Sequence, residues 1–358
     1  MAFHAEIFSE EIKVMNNTRN HPLRQLKQLA ILATAAFLLL PVSAAGADRG
    51  YIFATATTGG TYYPVGVAVA TLTKIKLEPK DKISLSAISS AGSGENIKML
   101  RHNEAQFAIL QGLYGAWAWR GEGVFAEQGE QRFLRSMTML WQNVEHFVIK
   151  SDLVRTGNLS DMQMLTGKRF SIGRKNSGTE GSGRHILTHL GFTPEKDFEL
   201  VNLGYGDSTD AMQNGIISGM NIPAGPPVSA VTRAFAALGK DITILGCTSE
   251  QLQRINRDYD LWSAYTIEAG TYPGQHRPVQ TLAQPNFMAV RSDVDDESVY
   301  KIVKTIYDNL EFLGNIHQAT GAMTLQNAIT GLPLPLHPGA ARFYREQGIV
   351  IPDRLIRP

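Results

Sequence analysis

The sequence predicts an α/β protein built as two lobes with a cleft between them, and two observations predict it. Apolar runs of strand length alternate with helical patterns along almost the whole chain, the signature of sheets covered by helices. Two of those runs, 145–150 and 286–291, stand where the chain leaves a first group of strand–helix units and where it returns. A double crossing joins two lobes by paired segments, and a cleft between lobes is the usual place for a small ligand and for hinge closure. The expected division is 48–145 with 286–358 in one lobe and 146–285 in the other, each a mostly parallel sheet flanked by helices.

Ahead of these units lies an export signal. Arg19, Arg24 and Lys27 precede a twelve-residue apolar run, 29–40, followed by Pro41 and Ser43-Ala44-Ala45-Gly46-Ala47. The run is shorter than the roughly 20 residues a membrane span needs, and Ala45-Gly46-Ala47 has the small-x-small form of a cleavage site. Cleavage is expected after Ala47, which makes the remainder an exported protein.

The first strand, 51–56, runs into Thr57-Thr58-Gly59-Gly60-Thr61-Tyr62-Tyr63-Pro64-Val65-Gly66. Adjacent glycines let a backbone approach a bound group and take positive φ, while Thr57, Thr58 and Thr61 offer uncharged hydroxyls. The run 66–72 reads as the opening of a helix, so the loop presents free N–H groups to an anion such as a carboxylate. Strand 83–89 leads into Ser89-Ser90-Ala91-Gly92 and a helix over 93–102; Ser93 and Asn96 are its capping residues, which frees Ser90 to face a ligand. Strand 106–110 ends at Gln111, whose amide both donates and accepts. All three loops lie at carboxyl ends of strands, where open α/β sheets place ligands.

Strands at 137–141 and 145–150 follow, then a helix over 160–165. Strand 169–173 opens Gly173-Arg174-Lys175-Asn176-Ser177-Gly178-Thr179, where N–H groups around Ser177, Gly178 and Thr179 at a helix N-terminus suit a carboxylate. Arg174 or Lys175 adds a cation for a second ligand charge. Helices over 179–190 and 208–214 stop at Gly191 and Gly215. Strands at 199–203, 219–223 and 242–245 complete the second group, and Asp295 or Asp296 caps a long helix reaching Leu313.

Composition excludes several classes. Residues 1–47 hold four Lys/Arg and three Asp/Glu of the chain's 34 and 33, leaving 30 of each and no net charge. Nucleic acid, which demands a basic excess, is therefore not an expected partner. Cys247 is the only cysteine, so no intrachain disulfide forms and the thiol is expected buried. His185 and His189 share a helix face but lack the Glu of HExxH, so no metal site is expected. There is no Gly-x-Ser-x-Gly elbow, and Asp207 and Asp210 read as helix-start residues. No catalysis and no cofactor are expected.

The motifs in order resemble the TAXI family, the solute-binding subunits of one branch of the tripartite ATP-independent periplasmic (TRAP) transporters. The resemblance rests on Thr58-Gly59-Gly60-Thr61-Tyr62-Tyr63-Pro64-Val65-Gly66, Gly92-Ser93-Gly94-Glu95-Asn96, Ser177-Gly178-Thr179-Glu180, Ala224-Gly225-Pro226-Pro227, Tyr272-Pro273-Gly274-Gln275 and 336–344. It implies a two-lobed periplasmic-binding-protein fold that closes on an organic anion and delivers it to TRAP membrane permease subunits. Glutamate, glutamine and small dicarboxylates such as 2-oxoglutarate are the ligand types it implies. Carried over by position, Thr58, Gly59, Gly60, Tyr62 and Gln111 form one wall, Ser177, Gly178 and Thr179 the other, and Ala224, Gly225 and Pro226 the floor. Asn176 stands where the family often has glycine, Asn221 where it has aspartate, and Gly112-Leu113 where it has a small residue and an acid. The scaffold is unaffected by these changes, whereas the ligand's identity is left open. A monomeric transport protein is the leading expectation; a periplasmic sensor that passes its closed form to a signalling receptor shares the same fold.

Overall fold

A computed structural model describes residues 48–356, and the expected signal peptide lies outside the described residues. Among them no helix is long and apolar enough to cross a membrane. The first sheet holds β1 (Arg49–Ala54), β2 (Ile83–Ile88), β3 (Phe107–Gln111), β4 (Leu134–Val144), β10 (Ser263–Ile267) and β11 (Val279–Arg291). The second holds β5 (Phe147–Lys150), β6 (Arg169–Ser171), β7 (Glu199–Val201), β8 (Gly219–Asn221) and β9 (Ile242–Ile244).

Both sheets are mixed. β2–β1–β3 and β7–β6–β8 are parallel, as strands joined through crossover helices must be. The strands that carry the chain between the sheets run against them: β11 is antiparallel to β3, β4 and β10, and β5 to β8 and β9. Only Glu145 and His146 separate β4 from β5. The return strand begins at Val279 and pairs first with β10, which the sequence pattern did not reveal. β10 is an edge strand with four of its five residues at least partly exposed, so it carries no apolar alternation.

Helices cover the sheets: α1 (Tyr62–Lys76), α2 (Ser93–Arg101), α3 (Gly112–Arg120), α4 (Gly178–His189), α5 (Tyr205–Gln213), α6 (Ser229–Leu238), α7 (Ser249–Ile255), α8 (Asp296–Tyr307), α9 (Leu310–Ile316) and α10 (Pro338–Glu346). Asp295 caps α8 by accepting from Ser298 N at 2.9 Å. The long helix expected up to Leu313 is two helices, because Asn309 leaves helical geometry at φ −136°. One apolar cluster runs from Phe53, Phe107 and Phe287 into Phe147, Phe170 and Ile186 of the second lobe. A separate one, with Val148, Ile222 and Val231, fills the other face of the second sheet.

α1 begins at Tyr62, four residues before the sequence reading placed it. Pro64 falls in its first turn, where a missing N–H breaks no helical bond. At Gly66 the helix lies directly on β1: a Cβ there would stand 2.3 Å from Thr55 Cγ2. Thr55 is fully buried and its hydroxyl donates to Ile88 O at 2.6 Å, so its methyl cannot swing away freely. Gly66→Ala is therefore expected to destabilise the protein by about 1–2 kcal/mol despite alanine's better helix propensity, and adding Thr55→Ser, which removes the obstructing methyl, is expected to restore most of that loss. Urea midpoints of the single and double variants check it.

Candidate functional site

Five helices begin around one pocket between the sheets. Each starts just beyond the carboxyl end of a parallel strand: α1 after β1, α2 after β2, α3 after β3, α4 after β6 and α5 after β7. Tyr62, Ser93, Gly178 and Tyr205, which open α1, α2, α4 and α5, line the pocket, and so does Gln111, the residue just ahead of α3. The first N–H groups of a helix have no partner within it, and its dipole places positive charge at that end. Arg174 is the only charged residue lining the pocket among the described residues. The result is a positive, carboxylate-free chamber suited to a small anion.

Of the residues singled out in the sequence, Thr57, Gly60, Thr61, Tyr62, Gln111, Arg174, Ser177, Gly178 and Thr179 come together on this pocket. Thr58 and Gly59 line an outer groove that adjoins it through Thr57, Arg174 and Tyr205, and that also contains Asp207 and Arg233. Ser90 lies behind the wall, its Oγ accepting from Gly92 N at 3.0 Å and 2.6 Å from Asn96 Oδ1. Ser93 takes the place expected of it: its Oγ lines the pocket and accepts from Gln111 N at 3.1 Å. Gly225 meets the site only through its carbonyl, which accepts from Thr61 Oγ1 at 2.9 Å. Pro226 faces a different groove beside Trp141 and Gln142.

The glycine pair acts by size. Neither Gly59 nor Gly60 has positive φ, against the sequence expectation. A Cβ on Gly60 would stand 3.0 Å from the Tyr205 ring, and one on Gly59 3.3 Å from Gly206 N. The loop is bare so that α5 of the other lobe can close on it. Ser177 also has a local duty, since its Oγ caps α4 by accepting from Glu180 N at 3.1 Å. Thr179 Oγ1 is 2.8 Å from Tyr205 OH, which donates to Pro223 O at 2.6 Å.

Residues 53–348 match the NMT1-like family. The chain belongs to that family. Among solved structures it is similar to MatC from Rhodopseudomonas palustris with bound malate, at 12% identity and a TM-score of 0.53, with 84% of this chain and 99% of that chain covered. A protein from Bordetella bronchiseptica RB50 gives 11% identity and a TM-score of 0.50, with 85% of each chain covered. The likeness is one of fold: this NMT1-like chain has the two-lobed architecture of the periplasmic binding proteins.

In this NMT1-like protein the lobes meet directly across the pocket. Tyr114 OH donates to Ser177 O at 2.8 Å, Glu95 N to Asn176 O at 3.0 Å, and Ser229 Oγ to Gly59 O at 2.9 Å. Tyr205, Leu203, Gly204, Pro223 and Asn143 also line the site and were not expected there, whereas Ala224, which lines it too, was among the residues expected at the floor. Gly204 and Tyr205 had a signal that could have found them, a strand followed by a glycine and a helix start, as at the loops that were recognised.

Beneath the pocket, buried polar side chains line the strands that join the lobes. Tyr62 OH donates to Asn286 Oδ1. Asn286 stands opposite Gln111 in the β3–β11 ladder, and Gln284 opposite Asn143 in the β4–β11 ladder. Leu113 N donates to Gln284 Oε1 at 2.9 Å, and Asn221 Nδ2 to Glu145 Oε2 at 2.8 Å. Glu145 is wholly buried. Burial pushes its carboxyl up to about 7, against the opposing pull of the neighbouring polar groups of Asn221, Ser182, Gln284 and Trp262. The next residue, His146, is pushed down to about 4 by burial, its Nδ1 lying 2.8 Å from Val144 O. An acid inside an apolar strand run was the available sequence signal, because a buried polar residue is the informative exception.

The signs for Glu145 follow from those values. Below 4.5 the carboxyl is neutral whether the chain is folded or not. Between 4.5 and about 7 the folded state keeps a proton that the unfolded chain has lost, so the group's contribution to stability falls as pH rises, by about 3 kcal/mol across the window. His146 acts oppositely below 6.5 and is common to wild type and variant. The stability of Glu145→Gln relative to wild type is thus expected to rise by about 2–3 kcal/mol from pH 5 to pH 8. Urea unfolding at both pH values measures it, and a constant difference would show that Glu145 is not proton-linked.

Proposed function

We propose that this chain is an extracytoplasmic solute-binding protein of a TRAP transporter of the TAXI type, exported by residues 1–47 and cleaved after Ala47. It captures a small carboxylate, glutamate or glutamine or a C4–C5 dicarboxylate such as 2-oxoglutarate, and hands it to membrane permease subunits for ion-gradient-driven uptake. The observation that carries this reading is the convergence of five helix N-termini and Arg174 on a pocket without an acidic lining residue. The malate bound to MatC, a protein of the same fold, belongs to the same chemical class. Capture without chemistry fits the lining as well, since among the described residues it offers no His, Asp or Glu to act as a base. The lobe built on the first sheet and the lobe built on the second close on the ligand. Thr57, Gly60, Thr61, Tyr62 and Gln111 hold it from one side and Ser177, Gly178 and Thr179 from the other, while Arg174 at the junction with the outer groove takes a second carboxylate.

Calorimetric titration of protein stripped of carried-over ligand by unfolding and refolding tests this. One-to-one binding of one anion among glutamate, glutamine, 2-oxoglutarate, succinate and malate is expected. Arg174→Gln is expected to weaken that binding about ten-fold or more, a charge-assisted bond being worth roughly 1.5–3 kcal/mol. Silence across the panel from folded protein, or equal affinity in the variant, would overturn the reading.

A further inference from the structure

We infer that anion capture in the pocket is coupled to uptake of a proton by Glu145, the buried carboxyl at the crossing between the lobes. The inference rests on the anion reading above. Glu145 sits between the two lobes: Asn221 of β8 bonds to its carboxyl from the second, and Ser182 of α4, Gln284 of β11 in the first, and Trp262 from the segment between α7 and β10 stand close around it.

The hydrogen bonding of the Glu145–Asn221 pair is incomplete in a way that a proton completes. Asn221 Nδ2 donates to Glu145 Oε2, while Glu145 Oε1 and Asn221 Oδ1 are both buried acceptors without a donor. Two acceptors on side chains already joined at one corner cannot satisfy each other. A proton on Oε1, taken from solvent, turns the carboxylate into a carboxylic acid whose O–H can donate to Oδ1, giving the cyclic acid–amide pair. Unmet buried acceptors are costly, and one proton gives both of these a hydrogen-bond partner.

No cation among the described residues offsets the charge of the ionised form. The groups around the carboxyl on β8, β11 and α4 and at Trp262 are neutral. Those titratable groups that sense it are the phenols of Tyr62 on α1 and Tyr205 on α5, both pushed up by burial first and by the Glu145 charge among the further causes. His185 of α4 lies beyond Trp262, ring stacked at 4.8 Å, and the His146 ring is held by Val144 O, Ile222 O and Tyr272 OH.

The electrostatic link to the ligand runs through the pocket wall. Tyr62 and Tyr205 line the pocket and also sense Glu145, and Asn143, two residues before Glu145, is part of the same lining. An anion held there and an ionised Glu145 repel each other through the buried wall between them. Binding therefore favours the neutral carboxyl, and by reciprocity the neutral carboxyl favours binding. Burial already holds the group up to about 7, so a ligand-induced rise draws protons at ordinary pH.

Calorimetry of the purified protein with 2-oxoglutarate, L-glutamate and L-malate in phosphate and in Tris at pH 7.5 tests the coupling, because buffers of different ionisation enthalpy reveal protons exchanged. A like charge that raises a buried carboxyl by on the order of one pKa unit gives uptake of about half a proton per anion bound, and affinity that weakens several-fold between about pH 6 and 8.5. Glu145→Gln is expected to bind the same anion with no uptake and a flat pH profile. Binding without uptake in the wild type, or equal uptake in the variant, overturns the inference; silence with these three and with succinate and glutamine as well overturns the anion reading and the inference with it. Should the variant not fold, the wild-type uptake plotted against pH decides: a maximum between about pH 7 and 8 supports Glu145, and a maximum at pH 6 or below overturns it.

Discussion

The pairing of β4 with β11 is the constraint on which the rest depends. β11 runs for thirteen residues and is hydrogen-bonded to β3, β4 and β10, while β4 passes into β5 of the other sheet after two residues. The two sheets are thereby fixed to each other through one ladder. Because β1, β2 and β3 on one side and β6 and β7 on the other direct their carboxyl ends toward it, every crossover helix that follows them starts at the same place. The positive pocket is a consequence of topology before it is a consequence of any side chain.

That ladder is unusual in what it buries. Gln284, Asn286, Asn143 and Glu145 are fully enclosed, where an apolar core would be cheaper by the desolvation of each polar group. Gln111 Oε1, Gln284 Nε2 and Asn286 Nδ2 have no protein partner. Polar groups retained inside a joint between lobes set its register and respond to charge nearby, which aliphatic side chains cannot do. The polar seam under the pocket is thus where ligand, proton and lobe position can influence one another.

Much of this was legible in the sequence, and the exceptions share a cause. Long apolar runs such as Phe107–Gln111 disclose buried strands, and clusters of Gly, Ser and Thr after a strand disclose a helix start facing a ligand, because both depend on neighbours in the chain. The reason for Gly59 and Gly60 was misjudged since the Tyr205 ring that excludes a side chain there lies far along the sequence. Ser90 and Ser93 exchanged roles for a similar reason: Asn96, itself bonded to Thr55 O and Ile109 O, holds the hydroxyl of Ser90 inward. Edge strand β10 left no pattern because solvent faces it, and Glu145 was passed over because one acid in an apolar run does not say which side chains will enclose it.

The contacts that close the lobes are of a kind that leaves the choice of state to the ligand. Tyr114 to Ser177, Glu95 to Asn176, Thr61 to Gly225 and Ser229 to Gly59 are hydrogen bonds to backbone carbonyls. Each contributes about 0.5–1.5 kcal/mol net. Against them stands the approach of two helix N-termini, since a Cβ on Gly92 at the start of α2 would lie 3.6 Å from Gly178 N at the start of α4, and like ends of helix dipoles repel. The repulsion offsets part of what those hydrogen bonds contribute to the closed arrangement. An anion between those N-termini reverses the sign of the repulsive term, interacting far better with the closed form than the open one, and a difference of that kind is what a ligand needs to move a two-state balance.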